Sequence, residues 1–259
     1  MSKQDRVPEL AAPMVAWLRE RLTIASARGF VVGLSGGIDS AVVARLCQLA
    51  SPGQVVAVML PCHSAAADEA DARLVVDHFA IENVTVCLDA AYDALLEALE
   101  AATRALAGVA RPDRSDAEAR IPRVNVKPRL RMTSLYFIAN SLNYLVAGTG
   151  NRSELTIGYF TKYGDGGVDL LPIGHLLKSE VRALAHALGV PKPIVDRTPS
   201  AGLWAGQTDE QEMGFSYAEL EAYLNDGPET VSPALALRIE RLMRESAHKR
   251  AGAPIPEET

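Results

Sequence analysis

Phe30 to Ser40, FVVGLSGGIDS, holds the residue types best placed for chemistry. Gly36 and Gly37 let a backbone approach an anion with no Cβ in the way. Ser35 and Ser40 add hydroxyl donors, and Asp39 adds a carboxylate. A carboxylate beside bound phosphates repels them unless a cation lies between, so Asp39 predicts Mg2+. The surrounding residues must position this turn. Phe30-Val31-Val32 reads as a buried strand. Gly33 and Leu34 lead out of it, Ile38 opens the next element, and Val42, Val43, Leu46, Cys47 and Leu49 continue at helical spacing. Strand, glycine-rich turn and helix together aim free N–H groups and a helix N-terminus at an anion.

Three other readings compete for the segment. A Walker A loop needs Lys before Ser, and Asp39 stands there instead. The dinucleotide fingerprint G-x-G-x-x-G fails because the glycines fall at 33, 36 and 37. Gly33 to Gly37 does satisfy G-x-S-x-G in a strand-to-helix setting, which would make Ser35 a hydrolase nucleophile. A tight turn without chemistry is the remaining possibility. From these residues alone phosphate binding leads, and the last two stay open. The string SGGIDS also resembles the pyrophosphate loop of the ATP pyrophosphatase superfamily, whose members cut ATP between the α and β phosphates.

The whole chain bounds the answer. With 259 residues, 48% of them hydrophobic, it can bury one large domain. Its net charge of −6, from 26 basic and 32 acidic residues, opposes nucleic-acid binding, which needs clustered Lys and Arg. No stretch has the length and apolarity of a membrane span, and MSKQDRVPELAAP lacks the apolar core of a leader, so no membrane partner and a cytoplasmic location are expected. Cys47, Cys62 and Cys87 fit reduced thiols.

The element pattern predicts a helix over 14–28, strands at 30–34, 55–60, 84–88 and 145–149, and helices over 66–79, 91–107 and 129–145. Apolar rather than alternating strands, in βαβα order, argue an α/β fold: a doubly wound parallel sheet with helices on both faces. The expectation is a single domain over 1–259, with a core over about 28–215 and a helical C-terminal extension over 216–250. Residues 108–124 read as an exposed, mobile connector. The helix over 129–145 is apolar around most of its circumference, which suits either a central core helix or a subunit interface.

A second cluster, Gly148 to Asp169, reads GTGNRSELTIGYFTKYGDGGVD. Asn151 or Ser153 suits a helix cap with Glu154 in the first turn, and Gly164-Asp165-Gly166-Gly167 must be a loop. This cluster resembles the NAD synthetase family. So do Asn125 to Met132, Leu170 to Lys178, Leu188 to Pro191 and Pro199 to Glu210. The resemblance runs from about 16 to 250, with Pro128 a departure from the family's usual small residue. It implies the Rossmann-like fold of adenine nucleotide alpha hydrolases. It also implies ATP-dependent amidation of deamido-NAD through an acyl adenylate, with ammonia as nitrogen donor because no glutaminase domain accompanies the chain.

Position by position, the resemblance implies that Gly33, Leu34, Ser35, Gly36, Gly37, Ile38, Asp39, Ser40, Thr149, Lys178 and Ser200 bind ATP. Asp39 and Glu154 match Mg2+ ligands. Arg129, Lys162, Asp169, His248 and Lys249 match deamido-NAD contacts. Asp165 and Lys178 carry catalytic roles, Asp165 near the ammonia. Family members form homodimers with the dinucleotide site at the interface. Residues 198–213 read as a lid that excludes water from the adenylate.

Overall fold

Four strands form a parallel sheet: β1 (Gly29–Gly33), β2 (Val55–Met59), β3 (Glu82–Thr85) and β4 (Tyr144–Ala147), in the spatial order β3-β2-β1-β4. The third is not the apolar run expected at 84–88; it starts two residues earlier and is mostly exposed, as its place at the sheet edge allows. The computed structural model describes residues 8–106, 108, 109, 115–200, 202, 204 and 206–256. Val32 pairs with Ala57 on one side and Ala147 on the other, so the two inner strands share one register. The chain builds outward from β1 through β2 to β3, then returns to the far side of β1 for β4. That reversal leaves a crevice beyond the C-terminal ends of β1 and β4, where doubly wound sheets bind ligands.

The helices follow as α1 (Ala12–Ala25), α2 (Ile38–Ala50), α3 (Ala66–Phe79), α4 (Asp89–Arg104), α5 (Asp116–Val124), α6 (Val126–Leu142), α7 (Arg152–Ile157), α8 (Lys178–Leu188), α9 (Lys192–Val195), α10 (Asp209–Met213), α11 (Tyr217–Asp226), α12 (Pro233–Glu245) and α13 (Ala247–Arg250). Side chains alternate across a strand, and β1 uses both faces. Phe30 and Val32 enter a core with Leu18 of α1, Leu46 of α2, Val75 of α3 and Leu184 of α8. Val31 enters a second core with Val58, Tyr92 of α4 and Ala139 of α6. Each fully buried aliphatic side chain of this kind contributes about 1.5–3 kcal/mol. A third cluster, with Ile157, Met213, Phe215, Tyr217, Leu220 and Ile239, packs α10, α11 and α12 against α7. Among the described residues no helix is long and apolar enough to cross a membrane.

Two further expectations are corrected. The connector is not all irregular, since residues 116–124 form α5 and Val124 is buried; the apolar Ile121 and Val124 line the cavity described below. Residues 110–114 lie outside the described residues. The long helix begins at Val126, because Pro128 falls in its first turn, where no intrahelical N–H is lost. It ends at Asn143, left-handed at φ 55°. Only Lys127, Pro128 and Ala139 of α6 are buried, and Phe137 is 74% exposed. The helix is thus not buried on all sides within the protomer: its inner face packs on Val31 and Val146 of the second core, and Phe137 faces outward.

Candidate active site

The glycine turn after β1 has the form its sequence demands. Gly36 is left-handed at φ +80°, and a Cβ there would lie 2.6 Å from the Asp68 carbonyl oxygen. Only glycine avoids both penalties. The serines brace the turn. Ser40 Oγ donates to the Gly37 carbonyl at 2.9 Å, and the Ser35 hydroxyl accepts from the Gly37 N–H at 3.2 Å. No side chain caps α2 at Gly37. Its leading N–H groups therefore stay available at the positive end of the helix dipole. Residues 33–35 and 37–40 all line a cavity of about 700 Å³, a size suited to a nucleotide-scale ligand.

Asp39, in the first turn of α2, meets a group of charges brought from three other elements. Lys178, at the start of α8, places its ammonium 2.5 Å from Asp39 Oδ2 and 3.2 Å from Glu154 Oε1. A Lys opposes the dipole at a helix start, and these two carboxylates outweigh it. Asn151 caps α7 with a capping box, accepting from the Glu154 N–H while the Glu154 carboxylate accepts from the Asn151 N–H. The Asn151 amide also donates to Asp39 Oδ1 at 3.0 Å. One short helix start thus fixes both acids.

Asp209 is a third carboxylate at this centre, and it is buried. It accepts from the Tyr217 hydroxyl at 2.9 Å and from the Tyr159 hydroxyl at 3.2 Å. Burial pushes Glu154 up to about 7; Lys178 opposes this, while Asp39 and Asp209 reinforce it. Burial likewise raises Asp209. Burial acts to lower Lys178, but Asp39 and Glu154 more than reverse it, so the ammonium stays charged. Sequence reading did not single out Asp209, Tyr159 or Tyr217. The one available signal was an acid directly after the Thr208 cap, at the end of a loop rich in glycine.

The tract around Gly164 folds on itself. Asp165 accepts from the Thr161 N–H at 2.9 Å, and burial raises its pKa. It lines the cavity together with Lys249, whose ammonium donates to the Gly158 and Phe160 carbonyls at 2.7 and 2.8 Å. Thr149 and Ser200 also face the cavity. Arg129, Lys162, Asp169 and His248 do not line it. Asp169 accepts from the Tyr136 hydroxyl and the Val146 N–H, both near 2.9 Å. Arg129 donates to the Lys162 carbonyl, and Lys162 to the His248 carbonyl, so the three form one exposed chain.

Over the cavity, Arg120 of α5 stacks 5.3 Å from the Trp204 ring, joining the revised connector to the loop after α9. Arg197 anchors the base of that loop to Asp68 and Asp71 of α3. Ala201, Leu203 and Ala205 of the expected lid lie outside the described residues.

A family described as NAD synthase matches residues 10–253. An NH3-dependent NAD+ synthetase of Carboxydothermus hydrogenoformans is 48% identical over 248 residues, covering 96% of this chain and 97% of that protein. Among solved structures, the NMN synthetase of Francisella tularensis superposes with a TM-score of 0.86 at 38% identity, covering 96% of this chain and 98% of that one. The NH3-dependent NAD synthetase of Campylobacter jejuni, in complex with nitrate, gives 0.75 at 30% identity, with the same coverage.

Proposed function

The chain belongs to the NAD synthase family, and from that premise we propose that it amidates deamido-NAD with ammonia at the expense of ATP, giving NAD, AMP and pyrophosphate. One observation carries the reading. Asp39, Glu154 and Lys178 converge beside an uncapped helix N-terminus, in a cavity at the sheet's switch point. A hydrolase has no use for a lysine bridging two carboxylates beside its nucleophile. Ser35 Oγ, moreover, hydrogen-bonds to Ser40 and the Gly37 N–H rather than to a histidine.

The donor set fits a magnesium ion. Asp39 and Glu154 supply only oxygen, and with the buried Asp209 the three acids exceed the one lysine by two charges when all are ionised. In this reading Asp39 and Glu154 would hold Mg2+, which would supply charge neutralisation for the leaving pyrophosphate. The α2 N-terminus, Gly37 and the serine hydroxyls bind the departing phosphates, with Gly36 shaping the turn. Thr149, Ser200, Leu34, Ile38 and Gly33 surround the nucleotide. Lys178 stays charged and follows the developing negative charge. The nicotinate carboxylate attacks the α-phosphorus, and ammonia then displaces AMP from the acyl adenylate. Asp165 is assigned the proton of the incoming ammonium.

Arg129, Lys162, Asp169 and His248 sit away from the cavity, and we assign them to the dinucleotide across a homodimer interface. The exposed Phe137 on α6 supports that face as the contact. The whole chain serves as one catalytic domain. Its three unpaired cysteines suit the reducing cytoplasm, where we place it.

A second reading takes the mononucleotide acid in place of the dinucleotide. The likeness to the NMN synthetase structure favours it. Supplying each acid with ATP and ammonium, and comparing kcat/KM, separates the two. Amidation of the dinucleotide with the higher kcat/KM supports the first reading; preference for the mononucleotide overturns it.

A further inference from the structure

Lys178 occupies the space between the two acids that would hold a divalent cation. Its ammonium reaches Asp39 Oδ2 and Glu154 Oε1, while the opposite oxygens, Asp39 Oδ1 and Glu154 Oε2, are tied to Asn151. The lysine thus holds the two oxygens that Asn151 does not, and the Tyr217 hydroxyl also donates to Glu154 Oε1 at 3.4 Å. The side chain is only 6% exposed, and its ammonium rests 5.2 Å from the Tyr217 ring centre. An ammonium and a divalent cation on these oxygens would compete, because two like charges about 3 Å apart in a largely buried site repel strongly. Removing the one lysine would leave Asp39, Glu154 and Asp209 unbalanced in a largely buried centre, which is strongly unfavourable unless another cation replaces it.

We infer that Lys178 is the resident cation of the Asp39–Glu154 pair, closing it to a free divalent ion and yielding it only when nucleotide phosphates arrive to receive the ammonium. This rests on the reading of Asp39 and Glu154 as metal ligands. The lysine has the right chemistry for exchange: a compact point charge on a flexible stem that can pivot from carboxylate to phosphate. The phosphates' binding turn begins beside Asp39 itself, so the new partner arrives within reach. Metal and nucleotide then enter together, and the metal alone finds its ligands taken.

Binding of Mn2+ to the full-length, nucleotide-free protein, followed by electron paramagnetic resonance, tests this without turnover. Lys178→Met should bind Mn2+ at least about tenfold more tightly than wild type. Asp39→Asn added to that variant should abolish the gain. Equal affinity in wild type and Lys178→Met overturns the role of Lys178. A gain that survives Asp39→Asn overturns instead the reading of Asp39 as a ligand. Circular dichroism checks folding, and Lys178→Gln, whose amide can still bridge the acids, replaces Met if the first variant does not fold. The nucleotide supplies a second check. Its phosphates bind Mn2+ themselves, so support requires that α,β-methylene ATP tighten Mn2+ binding more in wild type than in Lys178→Met; wild-type binding equally tight without the nucleotide overturns the inference.

Discussion

Glu154→Gln should make the metal-free protein more stable at neutral pH while removing its capacity for adenylation. Burial pushes Glu154 up to about 7 from an ordinary 4.5. The folded state therefore holds a proton the unfolded chain has lost, and stability falls as pH rises through this window. The sign is opposite to that of an ordinary salt-bridged acid. At about 1.36 kcal/mol per pH unit, the whole interval amounts to about 3 kcal/mol, of which about 2–3 falls between pH 5 and 8. Lys178 stays charged throughout, so its contribution is constant over that range. A neutral glutamine can still accept from the Asn151 N–H and preserve the helix cap. Urea unfolding in EDTA at pH 5, 6, 7 and 8 reads the effect. The two proteins should be close at pH 5, with the variant ahead by about 2–3 kcal/mol at pH 8, or roughly 5–10 °C in Tm. Burial also raises Asp209 and Asp165, and both act in the same direction in the two proteins. The difference between them isolates Glu154. A flat difference across pH, or a variant less stable at pH 8, would refute the account of this centre.

Four further outcomes follow. Asp39→Asn and Glu154→Gln should each abolish most pyrophosphate release, and the double variant should be little worse, because groups acting on one ion are non-additive; additive losses in log rate count against a shared site. Asp165→Asn should slow amidation by about 10²–10⁴-fold, with partial recovery at higher pH as free ammonia increases; equal loss of both steps without recovery would leave Asp165 as a staple for the Thr161 turn. Gly36→Ala should destabilise by about 2–4 kcal/mol, combining left-handed strain with a Cβ driven into the backbone of α3; urea unfolding checks it, and a loss under 1 kcal/mol contradicts it. Phe137→Glu should shift the sedimenting species from dimer to monomer with folding intact, and an unchanged dimer would move the interface elsewhere.

Local chemistry made the glycine turn legible before any coordinates. An apolar run, two adjacent glycines and an acid leave few physical solutions, and the strand, turn and helix fall within a residue of their expected positions. The cap at Asn151 was equally readable, since Asn followed three residues later by Glu is a reciprocal capping pair. What sequence could not supply was convergence. Asp209 and Tyr217 lie 55 and 63 residues beyond Glu154 in the chain, and nothing local says that their side chains meet it. The connector was misread because Pro122 and many charges disguise α5, whose helical state is sustained by burying Val124 and lining the cavity with Ile121. The long apolar helix was ambiguous for a physical reason too. Hydrophobicity on all sides marks a buried surface without saying whether the same chain or a second copy covers it.

The central claim is that these residues adenylate a nicotinate carboxylate and pass it to ammonia. Incubating the protein with ATP, deamido-NAD, ammonium and Mg2+, and separating all products, tests it most directly. NAD, AMP and pyrophosphate should form in equal amounts, with none formed when the acid substrate is left out. ADP and orthophosphate in their place, or AMP release without amide formation, would contradict the account.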